Sequence, residues 1–408
     1  MMLEDAVLGT QDAPSGELPR RTLAYALLTD LYQLTMAQGY WANGKLDEEA
    51  CFHMFFRENP FKGGFAIACG AAQLAEMIDG FAFSDEDVAY LGSLQAPGGG
   101  PLFDEGFLAY LREMRLTLDV DAVREGTVVF PMEPIVRVTG PILQCQLLET
   151  ALLCCMNFQT LIATKAARVC LAAQAPVAEF GLRRAQGAGG ALWASRAAVV
   201  GGCASTSNVL AGKMFDIPVS GTHAHSWVMA FDSEIEAFRA YAKTFPKNCI
   251  LLVDTYDVKQ GIEHAIEVGL EMRAQGERLA GIRIDSGDLA WLARYARERL
   301  DAAGLVDCGI VLSNDLDEYL IETLKIQGAT ITSWGVGTSL ITSRDCPAFG
   351  GVYKLAAVQD ENGNFIPKIK LSENTEKVTN PGNKEIYRIY DKTTGKIRAD
   401  LICLADEV

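Results

Sequence analysis

Histidine is scarce in this sequence: His53, His223, His225 and His264 are the only four in a chain of 408 residues. Imidazole chemistry therefore has few addresses. Cysteine is more plentiful, but its count of 11 is odd, no CxxC pair occurs and no spacing fits a zinc site. That argues against zinc modules and a disulfide framework. Cys145, Cys154, Cys155 and Cys170 lie in apolar runs and read as buried, reduced thiols, which fits the cytoplasm. Positive charge is also short, with 36 Lys and Arg against 52 Asp and Glu, a net charge of −16. Phosphate backbones and anionic membrane surfaces need a positive field, so neither nucleic acid nor membrane is an expected partner. Small anions remain open, because they need only a local cluster of Arg and Lys. Long uncharged apolar runs are missing too. The nearest, Val138 to Thr164, carries Glu149 and reads as a buried helix. Residues 1–20 hold Pro14 and Pro19, show no signal-peptide pattern, and read as a flexible polar leader.

What is present is an ordinary globular composition, 49% hydrophobic and 22% charged. The length exceeds what one core serves, since cores stop growing near ~250–300 residues, so two domains are expected. Asp30 is a candidate N-cap for a helix bearing Leu31, Leu34 and Met36, and residues 50–56 read as a strand. Beyond Gly140 the texture changes. Seven short apolar runs recur, each ending in or followed by Gly, Asp or Asn: Val177–Phe180, Ala198–Gly201, Ile217–Gly221, Ile250–Asp254, Gly281–Asp285, Ile310–Asn314 and Ile331–Gly335. Helical segments separate most of them, which is the β/α signature. The number of runs fits a barrel, and the periodicity also allows an open doubly wound sheet. Residues 350–408 return to strand-and-turn texture. The expected division is a leader at 1–20, an N-terminal α+β domain at 21–139, an α/β barrel at 140–349, and a C-terminal segment at 350–408 packing back on the first domain.

The polar residues ending these runs are the candidates for chemistry, because a β/α barrel places its functional groups after the C-terminal ends of its strands. Asp254 and Asp257, Asp285 to Asp288, Ser313 to Asp315, and Gly335 to Thr338 occupy such places. Asp288 and Asp315 also suit helix caps. Gly335-x-Gly337-Thr338 has the two glycines and hydroxyl of a phosphate cradle, yet it is neither a Rossmann nor a Walker loop. His223 and His225 share one Gly-Thr loop, where a single reactive imidazole fits better than a metal pair. His264 reads as a solvated helix residue and His53 as a strand-face residue. Arg57, Lys62, Lys165, Arg168, Arg183, Arg184, Lys213 and Arg283 concentrate positive charge, and Arg183 and Arg283 sit at strand ends. Guanidinium grips carboxylate and phosphate bidentately, so the pattern points to an anionic ligand at a barrel mouth.

Six motifs occur in order: Thr29-Asp-Leu-Tyr-Gln-Leu-Thr-Met, Phe56-Arg-Glu-Asn-Pro-Phe-Lys-Gly-Gly, Glu179-Phe-Gly-Leu-Arg-Arg-Ala-Gln, Gly221-Thr-His-Ala-His-Ser-Trp, Ile284-Asp-Ser-Gly-Asp and Gly335-Val-Gly-Thr. Together, from about residue 25 to the C-terminus, they resemble the nicotinate phosphoribosyltransferases. The resemblance implies a type II phosphoribosyltransferase fold, an irregular α/β barrel plus a smaller α+β domain built from both termini, in a homodimer with shared active sites. It implies that nicotinate, phosphoribosyl pyrophosphate, ATP and water give nicotinate mononucleotide, pyrophosphate, ADP and phosphate, with Mg²⁺ on the substrate phosphates. This is the first step of NAD salvage from nicotinate.

By matching position, the resemblance makes His225 the phosphorylated histidine and gives His223 no role. It sets Phe180, and Tyr32 from a neighbouring subunit, on the two faces of the pyridine ring. Arg283 and Ser207 would meet the nicotinate carboxylate. Asp285 would accept from the ribose hydroxyls, and Gly335, Gly337 and Thr338 would hold the 5′-phosphate. Arg57 and Arg183 would bind phosphate or pyrophosphate, while Thr222, Ser226 and Asn314 line the substrate site. Protein ligands to the metal stay unassigned. Two departures stand out: Ser205 replaces an expected Gly, and the chain stops at Val408 without the extension of longer members. An acidic residue replaces Ser207 in the related nicotinamide enzymes, so Ser207 favours the acid. The alternatives are a nicotinamide or quinolinate enzyme, or a catalytically silent relative that keeps the pocket.

Overall fold

The computed structural model describes residues 25–371, 373 and 379–407. The expected leader at 1–20 lies outside them. In chain order the strands are β1 Glu49–Phe56, β2 Ala66–Ile67, β3 Asp119–Ala122, β4 Val128–Val129, β5 Val136–Pro141, β6 Val177–Glu179, β7 Ser205–Thr206, β8 Ile250–Leu252, β9 Gly281–Ile284, β10 Gly309–Leu312, β11 Ser333–Val336, β12 Gly351–Gln359, β13 Phe365–Pro367, β14 Lys384–Tyr390 and β15 Ile397–Leu404. They form an antiparallel sheet β13-β12-β1-β5-β3, a parallel sheet β7-β6-β11-β10-β9-β8, and two small antiparallel pairs, β2-β4 and β14-β15. No helix among the described residues is long and apolar enough to cross a membrane.

β1 is the β-prone run Ala-Cys-Phe-His-Met-Phe-Phe, buried along nearly its whole length. It lies between β5 and β12, so one sheet joins strands from both ends of the chain. Phe52 stacks on Tyr353 across the β1–β12 pair at 5.0 Å. The helix Glu149–Ala173 is the spine between two cores. Its first turns (Ala151, Leu152, Met156) belong to the core of the antiparallel sheet. Ile162, Ala163, Ala166 and Val169 belong to the core of the parallel one.

The parallel sheet departs from the expected barrel: β7 and β8 are its edges, and no barrel closes. Five of the seven apolar runs contain strands β6 and β8 to β11. Ala198–Gly201 does not, because it ends the helix Ala188–Val200, whose buried Ala191, Ala194, Ala197 and Ala198 favour a helix. Ile217–Gly221 makes a single parallel bridge, Val219 to Thr206. Pro218 has no N–H for a longer ladder, and its carbonyl accepts from Thr206 at 3.0 Å. Two residues beyond this segment, His223 Nε2 accepts from the N–H of Leu252, on β8, at 3.2 Å.

Other expectations change as well. Asp30 precedes the helix Leu31–Ala42, but its carboxylate accepts from Thr150 Oγ1 at 2.8 Å and caps nothing. Asp288 caps the helix Leu289–Ala302, whereas Asp317, not Asp315, caps Glu318–Ile326. Val138–Thr164 is the end of β5 and two helices. Cys154 is exposed, unlike buried Cys145 and Cys155 and half-buried Cys170. His264 is not a free surface residue, since its Nδ1 meets the buried Glu234 at 2.8 Å.

Candidate active site

The C-terminal ends of the parallel strands converge on two adjoining cavities. One, of about 250 Å³, is lined by Phe180, Leu182, Arg183, Ser207, Gly221, Thr222, His223, Ala224 and Arg283. The other, of about 190 Å³, is lined by Phe180, Arg183, Arg184, Arg283, Asp285, Ser313, Asn314, Asp315, Gly335, Gly337 and Thr338. Phe180, Arg183 and Arg283 border both. Of the strand-end residues picked out in the sequence, Asp285, Ser313 to Asp315, Gly335, Gly337 and Thr338 are therefore neighbours in space, whereas Asp257 and Asp288 cap helices and line neither cavity.

Arg283, on β9, is the hub. Its Nε donates to Ser313 Oγ at 2.8 Å, Nη1 to Thr222 Oγ1 at 3.3 Å, and Nη2 to Asp285 Oδ1 at 3.0 Å. Its guanidinium carbon lies 5.5 Å from the centre of the Phe180 ring. Asp285 Oδ1 also accepts from Ser313 Oγ. The Asp285 N–H and the Ser286 hydroxyl both donate to Asp254 Oδ2, at 2.8 and 2.7 Å. Asp254 Oδ1 is buried with no partner among the described residues. This cationic hub is preorganised by neutral hydroxyls and one carboxylate, the arrangement that suits an anionic ligand.

Phe180 follows β6, and its N–H donates to the Val336 carbonyl at 2.8 Å. Gly335 is bare because of that ring: a Cβ there would lie 2.6 Å from two Phe180 ring carbons. Gly337 lies beside the Phe180 carbonyl and leads into the one-turn helix Thr338–Ile341. Part of the glycine pattern read as a phosphate cradle thus serves the aromatic wall. Asn314 and Asp315 hold positive φ, 97° and 41°, in the loop after β10.

His223 is buried, its ring edge-on to Tyr241 at 4.7 Å. Burial, with further lowering from Arg283 and His225, depresses its pKa from 6.5 to about 4 despite the Ala224 carbonyl. Neutral Nε2 is then free to accept from Leu252. His225 opens the short helix His225–Met229, with Nδ1 3.2 Å from Thr255 Oγ1. Its Nε2 makes no hydrogen bond among the described residues, and His225 lines neither strand-end cavity.

Not every expected residue joins this group. Tyr32 is 48% exposed on the helix Leu31–Ala42 and lines a separate cavity with Asp30 and Glu149. Burial and Glu149 raise its hydroxyl to about 12. Arg57 follows β1, with its guanidinium 5.8 Å from the Phe55 ring, and lines neither strand-end cavity. Ser226 is exposed, one residue beyond His225. Lys165 and Arg168 both pair with Glu318, at 2.7 and 2.9 Å, away from the mouth. One residue of the site carries no mark in the sequence analysis beyond its place in a motif. Glu179 is fully buried at the end of β6, and the signal was a charge inside an otherwise apolar parallel strand.

Comparison with known proteins shows the family. The model of the nicotinate phosphoribosyltransferase N-terminal domain matches residues 27–157, and that of the nicotinate phosphoribosyltransferase family matches residues 176–377. A nicotinate phosphoribosyltransferase of Bacillus subtilis is 48% identical over 386 residues, covering 94% of this chain and 76% of its own. The chain belongs to the nicotinate phosphoribosyltransferase family. The human family member is 37% identical over 444 residues, covering 95% of this chain and 81% of its own. A crystal structure of human nicotinic acid phosphoribosyltransferase superposes with a TM-score of 0.79 at 35% identity, covering 93% of this chain and 82% of that one. A nicotinate-nucleotide pyrophosphorylase from Pyrococcus furiosus shares the fold at 22% identity, with a TM-score of 0.73 and coverage of 95% and 85%.

Proposed function

We propose that this chain transfers the phosphoribosyl group of phosphoribosyl pyrophosphate to nicotinate, with ATP hydrolysis coupled to the transfer. The observation that carries the reading is the Arg283 hub: a guanidinium against an aromatic wall, flanked by Ser207 and by the Asp285 and Gly335–Thr338 strand ends. Nicotinate would lie against Phe180 with its carboxylate toward Arg283 and Ser207. The ribose would meet Asp285 and Asn314, and the 5′-phosphate the backbone at Gly335, Gly337 and Thr338. Arg183 would face the pyrophosphate, with Arg57 approaching from β1.

The reaction asks for positioning more than for proton transfer. Ring nitrogen attacks the anomeric carbon as pyrophosphate leaves, so positive charge grows on the ribose and negative charge on the leaving group. Asp285 sits to favour the first and the arginines the second. Mg²⁺ would neutralise pyrophosphate charge. Among the described residues no cluster of three or more His, Cys, Asp or Glu forms a metal cage, so the ion would arrive on substrate phosphates, with Asp254 Oδ1 the open buried acceptor nearby. His225, with Nδ1 held by Thr255, presents Nε2 as the atom to carry a phosphoryl group from ATP. Thr222 and Ser226 flank that loop. The exposed Tyr32 supports a dimer in which a second copy supplies the other face of the pyridine pocket. The free thiols among the described residues support a cytoplasmic setting, and the two cores support a limit near residue 350 and a first limit within the helix Glu149–Ala173 rather than near residue 140.

The test is pyrophosphate release by the purified chain with phosphoribosyl pyrophosphate, Mg²⁺ and each of nicotinate, nicotinamide and quinolinate, with and without ATP. Nicotinate should be the preferred pyridine and ATP should raise the rate. His225→Ala should abolish acid-labile, alkali-stable labelling from ATP and the ATP stimulation with it. A label that survives this substitution removes His225 from the role.

A further inference from the structure

Glu179 is fully buried, and no Lys, Arg or His pairs with it among the described residues. Its Oε1 accepts from the Gly181 N–H. Its Oε2 accepts from Ser195 Oγ at 2.9 Å and from Thr206 Oγ1 at 2.6 Å. A carboxylate buried without a counter-ion persists only where donors satisfy it, and three do so here. The donors come from three places: the turn after β6, the helix Ala188–Val200, and β7.

The network extends to the loop that follows β7. Asn208 Nδ2 donates to Ser195 Oγ at 3.1 Å, and the Asn208 N–H donates to Thr206 Oγ1 at 3.0 Å. Asn208 Oδ1 in turn caps the helix Val209–Phe215 by accepting from Ala211. The Ser207 N–H donates to the Glu179 carbonyl at 2.9 Å. Phe180 is therefore bracketed by the acid and by its Gly181 acceptor bond, while Ser207 is bracketed by Thr206 and Asn208. A Cβ at Gly181 would fall 2.9 Å from Glu179 Oε1 and closer still to Ile341, so the turn is drawn tightly over the carboxylate.

We infer that Glu179 is the positioning residue of the pyridine pocket: through its Gly181, Ser195 and Thr206 hydrogen bonds it holds the Phe180 wall in register with Ser207 and so sets pyridine affinity and choice. It reaches the substrate only through these neighbours. The inference rests on the nicotinate reading above. It places the control of pyridine binding beneath the cavity, on a residue distinct from those that face phosphate.

The experiment compares Glu179→Met, which keeps the length and removes all three acceptor bonds, with Glu179→Gln. In the glutamine variant the amide oxygen still serves Gly181. Its NH₂ can donate to Ser195 and Thr206 once both hydroxyls rotate, and Ser195 already has the Ala191 carbonyl at 3.0 Å. Loss of the network should raise KM for nicotinate by about tenfold or more and narrow the nicotinate-to-nicotinamide preference, with KM for phosphoribosyl pyrophosphate within about twofold. Glu179→Gln should recover most of both. Equal rises in the two KM values, or none, overturn the inference. Amide hydrogen exchange at Phe180–Arg184 and Ser205–Asn208 gives a readout without turnover: faster exchange at both in Glu179→Met, restored in Glu179→Gln, is expected, and unchanged exchange overturns the inference. Thr206→Val, which deletes one donor, serves should the methionine variant fail to fold. Its KM for nicotinate and its exchange should move in the same direction. An unsubstituted protein that releases no pyrophosphate with nicotinate refutes the functional reading, while the exchange result still decides the role of Glu179.

Discussion

Two groups of basic residues use the same parts and do different things. At the strand ends Arg283 meets Asp285 at 3.0 Å and the Phe180 ring at 5.5 Å. Beside the spine helix, Lys165 and Arg168 meet Glu318 at 2.7 and 2.9 Å, and the Phe61 ring at 5.1 and 5.6 Å. Each group is a cation, a carboxylate and a phenyl ring. The difference is access. The side chains of Arg283 and Asp285 keep 15% and 31% of their exposure and border cavities, whereas the Lys165–Glu318 pair keeps 1% and 6%, with Arg168, at 19%, on its outer side and bordering neither strand-end cavity. Where water and ligand reach the guanidinium, the pair recognises anions. Where nothing reaches it, the pair ties the Asn59–Gly63 turn to the helix that follows the Ser313–Asp315 loop.

Substitutions should separate the two roles. The largest effect is expected at the sealed group, where Glu318→Gln leaves Lys165 buried without its counter-charge. That should destabilise by about 3–5 kcal/mol. Thermal denaturation should record a Tm lower by roughly 6–20 °C, with kcat/KM of the folded enzyme little changed. A large loss of kcat/KM at unchanged Tm would erase the distinction. Arg283→Met should behave in the opposite way. Losing a charge-assisted contact of about 1.5–3 kcal/mol lowers kcat/KM for nicotinate by roughly 10- to 100-fold, and denaturation should show little change in Tm.

The smallest effect, per group and per pH unit, concerns the two buried imidazoles, His223 at the mouth and His53 on β1. Burial lowers His53 to about 3, helped by Lys384 and Arg137, as it lowers His223 to about 4. Below the ordinary value of 6.5 the unfolded chain binds protons that the folded chain refuses, so stability falls as the pH falls from 6.5 toward 4 and, for His53, onward to 3. Each contributes less than about 1.4 kcal/mol per pH unit. Denaturant titrations between pH 7 and 4.5 should show this slope, and His223→Leu should flatten it. A slope unaltered by that change would assign the acid limb to other groups.

Much of the site was legible because strand-end polar residues stand out against apolar runs. Arg283, Asp285, Asn314 and Thr338 each follow or close such a run, and the structure brings them together. Three kinds of information were not local. Whether a cation is sealed or open depends on packing between distant segments, so Arg283 stood out at a strand end while the burial of Lys165 was not legible from its place on a helix. That the sheet stays open turns on one proline and one imidazole: Pro218 cannot extend a ladder beside β7, and the β8 residue Leu252 donates its N–H to the His223 side chain rather than to a strand carbonyl. The Ala-rich end of the helix Ala188–Val200 shows a third gap, since Ala198-Val199-Val200 read alone is as apolar as a strand. Only the alanine spacing upstream reveals the helix.

The pairing of β1 with β12 has a consequence for synthesis. β1 gains β5 on one edge after some eighty residues, but its other edge waits for residues 351–358. At about 5–20 residues per second the ribosome needs roughly 15–60 s to supply them. Over that interval the strands of the parallel sheet emerge one by one, the central β11 last, while an apolar strand of the other sheet stays half-paired. The nascent chain thus carries an open β edge for most of its time on the ribosome. β12, which emerges near the end of the chain, is the strand that covers that edge.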